Sequence, residues 1–145
     1  MVAYLAHPLG PKNGEGPIAR QDNIADALSW IKLLVSSTKW VIECSWFAYV
    51  LSLEDEAFRP RTLVDQTEQI HRCDIYVVTS WMSPHIRAEI PRVRRVGLHI
   101  LDLTWLGKRL PPELTLEQNR RLMSELDSVN RLIELSHSPS QKDSK

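Results

Sequence analysis

Residues 73–103 read CDIYVVTSWMSPHIRAEIPRVRRVGLHILDL. Two short apolar runs, CDIYVV and LHILDL, flank the segment SPHIRAEIPRVRRVG at 83–97. The runs have the length and the β-branched content of buried strands. The segment between them reads as a turn and then a helix, with Pro84 suited to the first turn. Strand, helix and strand in that order form a βαβ unit, which implies parallel pairing. Glu89 falls in the first turns of the helix, just past the carboxyl end of the leading strand. Open α/β sheets usually hold their ligands there. Ile86 and Val93 lie three residues before and four after it, on the same helix face. The carboxylate therefore points toward a partly buried surface, unlike Arg87, Arg92 and Arg94. It can complement the helix macrodipole. It can equally act as a nucleophile that traps an oxocarbenium-like anomeric carbon. Spacing alone does not choose.

Working outward, VAYLA at 2–6 reads as a strand and ends in HPLGPKNGEGP, a strong breaker. In IARQDNIADALSWIKLLVSS, Ile24, Leu28, Ile31 and Val35 recur at helical spacing. WVIECS at 40–45 reads as a second buried strand, and WFAYVLSLEDEAF as helical. PRTLVDQTEQIHRC at 60–73 reads as a further helix entered at Pro60. A C-terminal helix follows from Leu116, Leu122, Met123, Leu126, Val129 and Ile133. Strands alternating with helices predict an α/β fold. Its sheet is doubly wound and mostly parallel, with four to five strands. Right-handed crossovers would place helices on both faces, a Rossmann- or flavodoxin-like three-layer sandwich. The expected organisation is one domain over residues 1–136 and a polar tail over 137–145.

The chain has 145 residues, enough for one real core, with 43% apolar and 25% charged residues. Basic and acidic residues number 18 each, for a formal net charge of zero. That balance argues against a dedicated nucleic-acid binder and leaves self-association open. No apolar run approaches the roughly 20 residues of a membrane span, and the N-terminus lacks the basic start of a signal peptide. A cytoplasmic location is expected. Cys44 and Cys73 stand beside apolar runs in no metal-type spacing, which suggests free thiols in a reducing compartment. A disulfide between them stays open. The sequence carries no GxGxxG, Walker-type loop or metal cluster, and no metal or redox cofactor is expected.

The run SPHIRAEIPRVRRVGLHILDLTWLGKRLPP resembles the nucleoside 2-deoxyribosyltransferase-like superfamily, and is similar to its short bacterial and phage branch. There a Ser-Pro-Gly-Met run leads to a Glu, then a Gly, then Val-Asp-Leu-Thr and Leu-Gly. YLAHPLG matches the family's Tyr-Leu-Ala-Gly-Pro opening, RQDNIADALSW its first helix, and QIHRCDIYVV its Asp-bearing third strand. The resemblance covers residues 2–112. It implies a compact doubly wound domain, commonly dimeric or larger. The Glu matching Glu89 would be the nucleophile at C1′ of a ribose or deoxyribose, the sugar passing to another base or to water. In relatives acting on nucleoside 5′-monophosphates, a Ser six residues earlier contacts the phosphate; here that is Ser83. A helix N-terminus is a natural anion site, and a plain N-cap role is compatible with it. Tyr4 matches a Tyr near the nucleophile and is otherwise a core aromatic.

Departures from the pattern are informative. His7 replaces the first-loop Gly, and His85 replaces the Gly after Ser-Pro; both are candidates for touching substrate. Relatives carry a proton-transferring Asp eight residues before the strand-three Asp. Counting back from Asp74 gives Gln66, with Asp65 one place earlier. Asp65 is the candidate proton donor and Gln66 a substrate contact. Arg20 could neutralise a phosphate, and Trp46 could stack on a base. The expected activity is N-glycosidic hydrolysis or base exchange on a nucleoside or its 5′-monophosphate. The alternative is a non-catalytic nucleotide-binding or sensor module. Five tryptophans in so short a chain also suggest a homodimer or higher homo-oligomer.

Overall fold

The computed structural model describes residues 1–8, 17–44 and 68–137. The chain divides into two compact units, Met1–Pro112 and Glu113–Lys145.

The first unit is built on four parallel strands: β1 (Val2–Ala6), β2 (Val41–Glu43), β3 (Ile75–Val78) and β4 (His99–Asp102). Their order across the sheet is β2-β1-β3-β4. The chain moves outward from β1 to β2, then returns past β1 to β3. The order therefore reverses between β1 and β3, and the carboxyl ends of these two strands, at Ala6 and Val78, flank the switch point. Tyr4 is the register partner of Tyr76, and Val78 that of Asp102. Alternation along β1 and β3 sends Tyr4, Ala6, Tyr76 and Val78 to one pleat and Ala3, Leu5, Ile75 and Val77 to the other. All eight are buried, which accounts for the unbroken apolar runs in the sequence. The α/β class and the parallel sheet agree with the reading of the sequence.

Helix α1 spans Pro17–Ser37. Its buried residues are Asn23, Asp26, Ala27, Trp30 and Leu34. The apolar stripe Ile24, Leu28, Ile31, Val35 lies one position further on, which is a rotation of about 100° around the axis. Leu28 is 47% exposed and Val35 52% exposed. The helix therefore buries Trp30 and two polar side chains and leaves its most regular apolar stripe toward the surface. Residues 68–71 are helical, ending ahead of Cys73 and β3.

Helix α2 spans Pro84–Val96. Ser83 caps it in an extended conformation, its Oγ accepting the Ile86 N–H at 3.2 Å. Pro84 occupies the first helical position, where its missing N–H is no loss. Gly97 ends the helix at φ 89°, a left-handed conformation that favours glycine. Arg94 and Arg95 in the last turn complement the negative end of the dipole. Ile86 and Val93 pack against the pleat carrying Tyr4, Tyr76 and Val78. A 3-10 turn at Thr104–Leu106 follows β4.

The second unit contains α3, Leu116–His137. Its buried residues, Leu122, Leu126, Val129 and Ile133, form one stripe, while Leu116 is 68% exposed. Thr115 opens the helix reciprocally with Gln118: Gln118 N–H donates to Thr115 Oγ1, and Thr115 N–H to Gln118 Oε1. This is a capping box. No helix among the described residues is long and apolar enough to cross a membrane.

Asp74 closes the amino end of the sheet. Its carboxylate accepts the Val2 N–H at 2.8 Å, and its own N–H donates to Val2 O at 2.8 Å. This pair fixes the start of β1 against β3 and so protects the Tyr4–Tyr76 register. Asp74→Ala is expected to lower the unfolding free energy by about 1.5–3 kcal/mol, the range for a hydrogen bond to a charged group. Urea unfolding checks this, with a midpoint equal to that of the wild type as the contrary result.

Candidate active site

Glu89 is 5% exposed, on the face of α2 that also carries Ile86 and Val93. A carboxylate so buried needs polar partners. Tyr76 provides the first: its hydroxyl donates to Glu89 Oε1 at 2.5 Å. Burial, then the charge of the adjoining Glu89 carboxylate and the hydrogen bond given to it, push the Tyr76 phenol far above its ordinary value. It therefore remains a donor throughout the physiological range. Tyr4 stacks on the Tyr76 ring, with centroids 5.5 Å apart and planes 9° from parallel. The registered pair of strands thus presents two tyrosines side by side, and the inner hydroxyl grips the acid.

The second carboxylate oxygen differs. Oε2 lies 3.7 Å from His85 Nε2 and 3.6 Å from Arg92 Nη2. These are ion-pair separations, longer than a hydrogen bond. Both side chains come from the same helix, one turn before and one turn after Glu89. Their side chains are 59% and 40% exposed, against 4% for that of Glu89. Arg92 also holds a buried Nε with no hydrogen-bond partner. One oxygen of the carboxylate is therefore anchored by Tyr76, and the other lies near two partly exposed side chains.

Ser83 stands at the start of α2 as expected. Its Oγ accepts from the helix with a lone pair, so the hydroxyl proton remains to donate. The preceding loop is held firmly. Ser80 has φ 71°, a left-handed conformation that is strained for a non-glycine residue. Its Oγ donates to Lys108 O at 2.5 Å, and Lys108 Nζ sits 5.7 Å from the Trp81 ring centroid. Segments 79–83 and 107–110 are thereby fastened together beyond the carboxyl ends of the strands.

His7 follows β1 but turns inward. Its ring is fully buried, with Nδ1 3.0 Å from Pro8 O and Nε2 2.8 Å from Asp26 Oδ2. A carbonyl oxygen only accepts, so Nδ1 carries a proton. Asp26 Oδ1 accepts the Leu110 N–H at 2.7 Å. This second polar group ties the end of β1, α1 and the segment after β4 to one another, with both ring nitrogens of His7 in use.

The structure therefore brings Tyr4, Glu89 and His85 into one group and sets Ser83 at the head of their helix. Arg20 lies in the first turns of α1, half-buried, its Nε without a hydrogen-bond partner. Among the described residues no ion pair links it to Glu89. Trp46, Asp65 and Gln66 lie outside the described residues. Sequence reasoning missed Tyr76, which appeared only as part of a buried strand. Its signal was the strand alternation that sets it on one pleat with Val78, opposite Tyr4 in the neighbouring strand. It also took Arg92 for a solvated residue, although the Glu89–Arg92 spacing of three was visible. Asp26 was overlooked because nothing local marks a buried acid.

No protein-family model, curated protein or solved structure matches this chain.

The buried phenol and a nearby buried thiol couple stability to alkaline pH. Burial first, then Glu43 and Asp74, push the Cys73 thiol from 9.0 up to about 12, opposed by Arg72. Both groups have folded values above their unfolded ones, so above about pH 9 the native state holds more protons than the unfolded state. Their contribution to stability is complete below that pH and is lost as pH rises through the folded values. Unfolding free energy is expected to fall from about pH 9 to 11, by at most ~1.4 kcal/mol per pH unit for each group. Chemical unfolding across that range should show a shallower slope for Cys73→Ala combined with Tyr76→Phe. An unchanged slope contradicts the assignment.

Proposed function

We propose that this protein cleaves or exchanges the N-glycosidic bond of a nucleoside or nucleoside 5′-monophosphate, with Glu89 as nucleophile. The observation that carries the reading is the asymmetry of the Glu89 carboxylate. Oε1 is fixed by Tyr76, while Oε2 receives no hydrogen bond among the described residues and lies near the partly exposed side chains of His85 and Arg92. Attack by Oε2 on C1′ would form a glycosyl ester as the base leaves, and water or a second base would then accept the sugar. Tyr76 serves both stages, because Oε1 remains an acceptor in carboxylate and ester alike. Tyr4 keeps the Tyr76 ring in place by stacking. Ser83, with its free proton at the head of a 13-residue helix, suits a phosphate or sugar hydroxyl. Cys44 and Cys73 are not joined by a disulfide, which fits a cytoplasmic setting.

One observation favours a second reading. The ion pairs from His85 and Arg92 to Oε2 also suit a carboxylate that only holds its helix together, in a nucleotide-binding module without turnover. Incubation with a panel of nucleosides and their 5′-monophosphates separates the two. Glycosidase or transferase action releases free base, measured by chromatography, whereas a binder gives calorimetric heat without product. On the first reading Glu89→Gln folds and releases no base. Tyr76→Phe is expected to slow release roughly 10- to 100-fold, the equivalent of one hydrogen bond to a charged group. A Glu89→Gln protein with undiminished release excludes the mechanism.

We also propose that the protein self-associates. A net charge of zero sets no long-range repulsion between copies. Ile24, Leu28, Ile31 and Val35 follow the alternating four-three spacing of a helix-pairing seam, and Leu28 and Val35 are exposed. The tryptophan content contributes less to this reading, since Trp30 and Trp40 are buried within the first unit. Sedimentation at micromolar concentration should give a mass at or above twice 16.7 kDa, reduced by Leu28→Glu with Val35→Glu. A monomeric wild-type mass contradicts self-association.

A further inference from the structure

We propose that His85 is the acid–base group of the Glu89 reaction. It holds a proton while Glu89 is charged and releases it when Glu89 becomes an ester. The proposal rests on the reading of Glu89 as nucleophile. His85 lies one helical turn before Glu89, its Nε2 3.7 Å from Oε2 and its side chain 59% exposed. Among the described residues no hydrogen bond holds the ring, and its exposure leaves room for it to turn. Oε1 is already taken by Tyr76, which leaves Oε2 as the oxygen that faces the imidazole. Arg92 Nη2, 3.6 Å from the same oxygen, adds a positive charge that cannot be lost as a proton.

In the first half-reaction the Oε2–C1′ bond forms and the C1′–N bond breaks, its electron pair going to the base nitrogen. The charge of the carboxylate disappears with the ester. Two cations then face a neutral group, and only the imidazolium has a proton to release. That proton moves from Nε2 to the departing nitrogen. In the second half-reaction the neutral imidazole takes a proton from the attacking water. The new C1′–O bond forms, the C1′–Oε2 bond breaks, and its electron pair restores the carboxylate beside a restored imidazolium. An incoming base with a ring N–H replaces water in the same way when the sugar is exchanged. Atoms and charge balance without any further reactant.

Distance permits the role. In retaining glycosidases the nucleophile and the acid stand roughly 5–5.5 Å apart, on opposite sides of the anomeric carbon. An imidazole resting at 3.7 Å needs an outward swing of roughly 2 Å, by difference from that spacing, and its exposure allows one.

The test depends on whether the leaving base needs a proton. Base release is measured in a single turnover, with protein in excess of substrate so that only the first half-reaction is read, for the wild type, His85→Gln and His85→Ala on a purine nucleoside 5′-monophosphate and on its N7-methylated counterpart. The methylated base departs neutral without taking a proton. Loss of a general acid is expected to slow release from the unmethylated substrate roughly 10²- to 10⁴-fold. Release from the methylated one should stay near the wild-type rate, which also shows that the variants are folded. Equal losses on both substrates, or no loss on the unmethylated one, overturn the role of His85 and leave Glu89 untouched. A wild-type protein that releases neither base, or a Glu89→Gln variant as active as the wild type, overturns the nucleophile and this proposal with it.

Discussion

The hydrogen bond from Tyr76 to Glu89 is the constraint around which the first unit is arranged. A carboxylate at 5% exposure has lost most of its hydration, a loss of several kcal/mol unless the protein replaces it. The buried phenol has the complementary need, for an acceptor away from water. Each group makes the other tolerable, and Tyr4 holds the phenol ring by stacking along its face. This arrangement leaves little freedom in strand register. A slip of one residue in β3 would carry Tyr76 to the opposite pleat and leave the acid without its donor. The Asp74–Val2 pair at the amino end of the strands resists such a slip. A clamp far along the strand thus protects the geometry at the other end.

The helix has a matching requirement. Glu89 meets Tyr76 only if α2 begins at the right residue, because an offset of one position turns its side chain by about 100°. Ser83 and Pro84 settle the start through the cap and the first-turn ring, and Gly97 settles the end. The loop that delivers Ser83 runs through Ser80 in a strained conformation, held by its bond to Lys108 O. Strain kept in a short loop beyond a parallel strand is commonly found where geometry has been selected for chemistry.

Much of this was legible in the sequence. Apolar runs and the Pro84/Gly97 boundaries named β3, α2 and β4, and the phase of Ile86, Glu89 and Val93 turned the acid inward. The partners of the acid were less legible, for reasons that differ by residue. His85 and Arg92 stand at helical spacing from Glu89, so their proximity was readable, but their relevance depended on how deeply the acid is buried. Tyr76 depended on inter-strand register, which no local pattern states. In α1 the regular stripe Ile24, Leu28, Ile31, Val35 suggested the wrong buried face. The helix instead follows Trp30 and Leu34, together with an Asp26 that has two distant partners in His7 and Leu110. Periodicity weights apolar residues alike and treats a buried acid as surface. Tertiary pairing reverses that weighting.

Two buried acids, Asp26 and Glu89, differ in how completely their oxygens are satisfied. Asp26 uses both oxygens internally, one on the His7 ring and one on a backbone N–H, and His7 in turn uses both nitrogens. Such a closed network joins three segments and leaves nothing to offer a ligand. Glu89 is equally buried, yet among the described residues only one of its oxygens is hydrogen-bonded, and the other lies near the partly exposed His85 and Arg92 side chains. A structural acid gains from complete satisfaction. An acid with one oxygen hydrogen-bonded and the other only near partly exposed basic side chains keeps accepting capacity, as the proposed nucleophile requires.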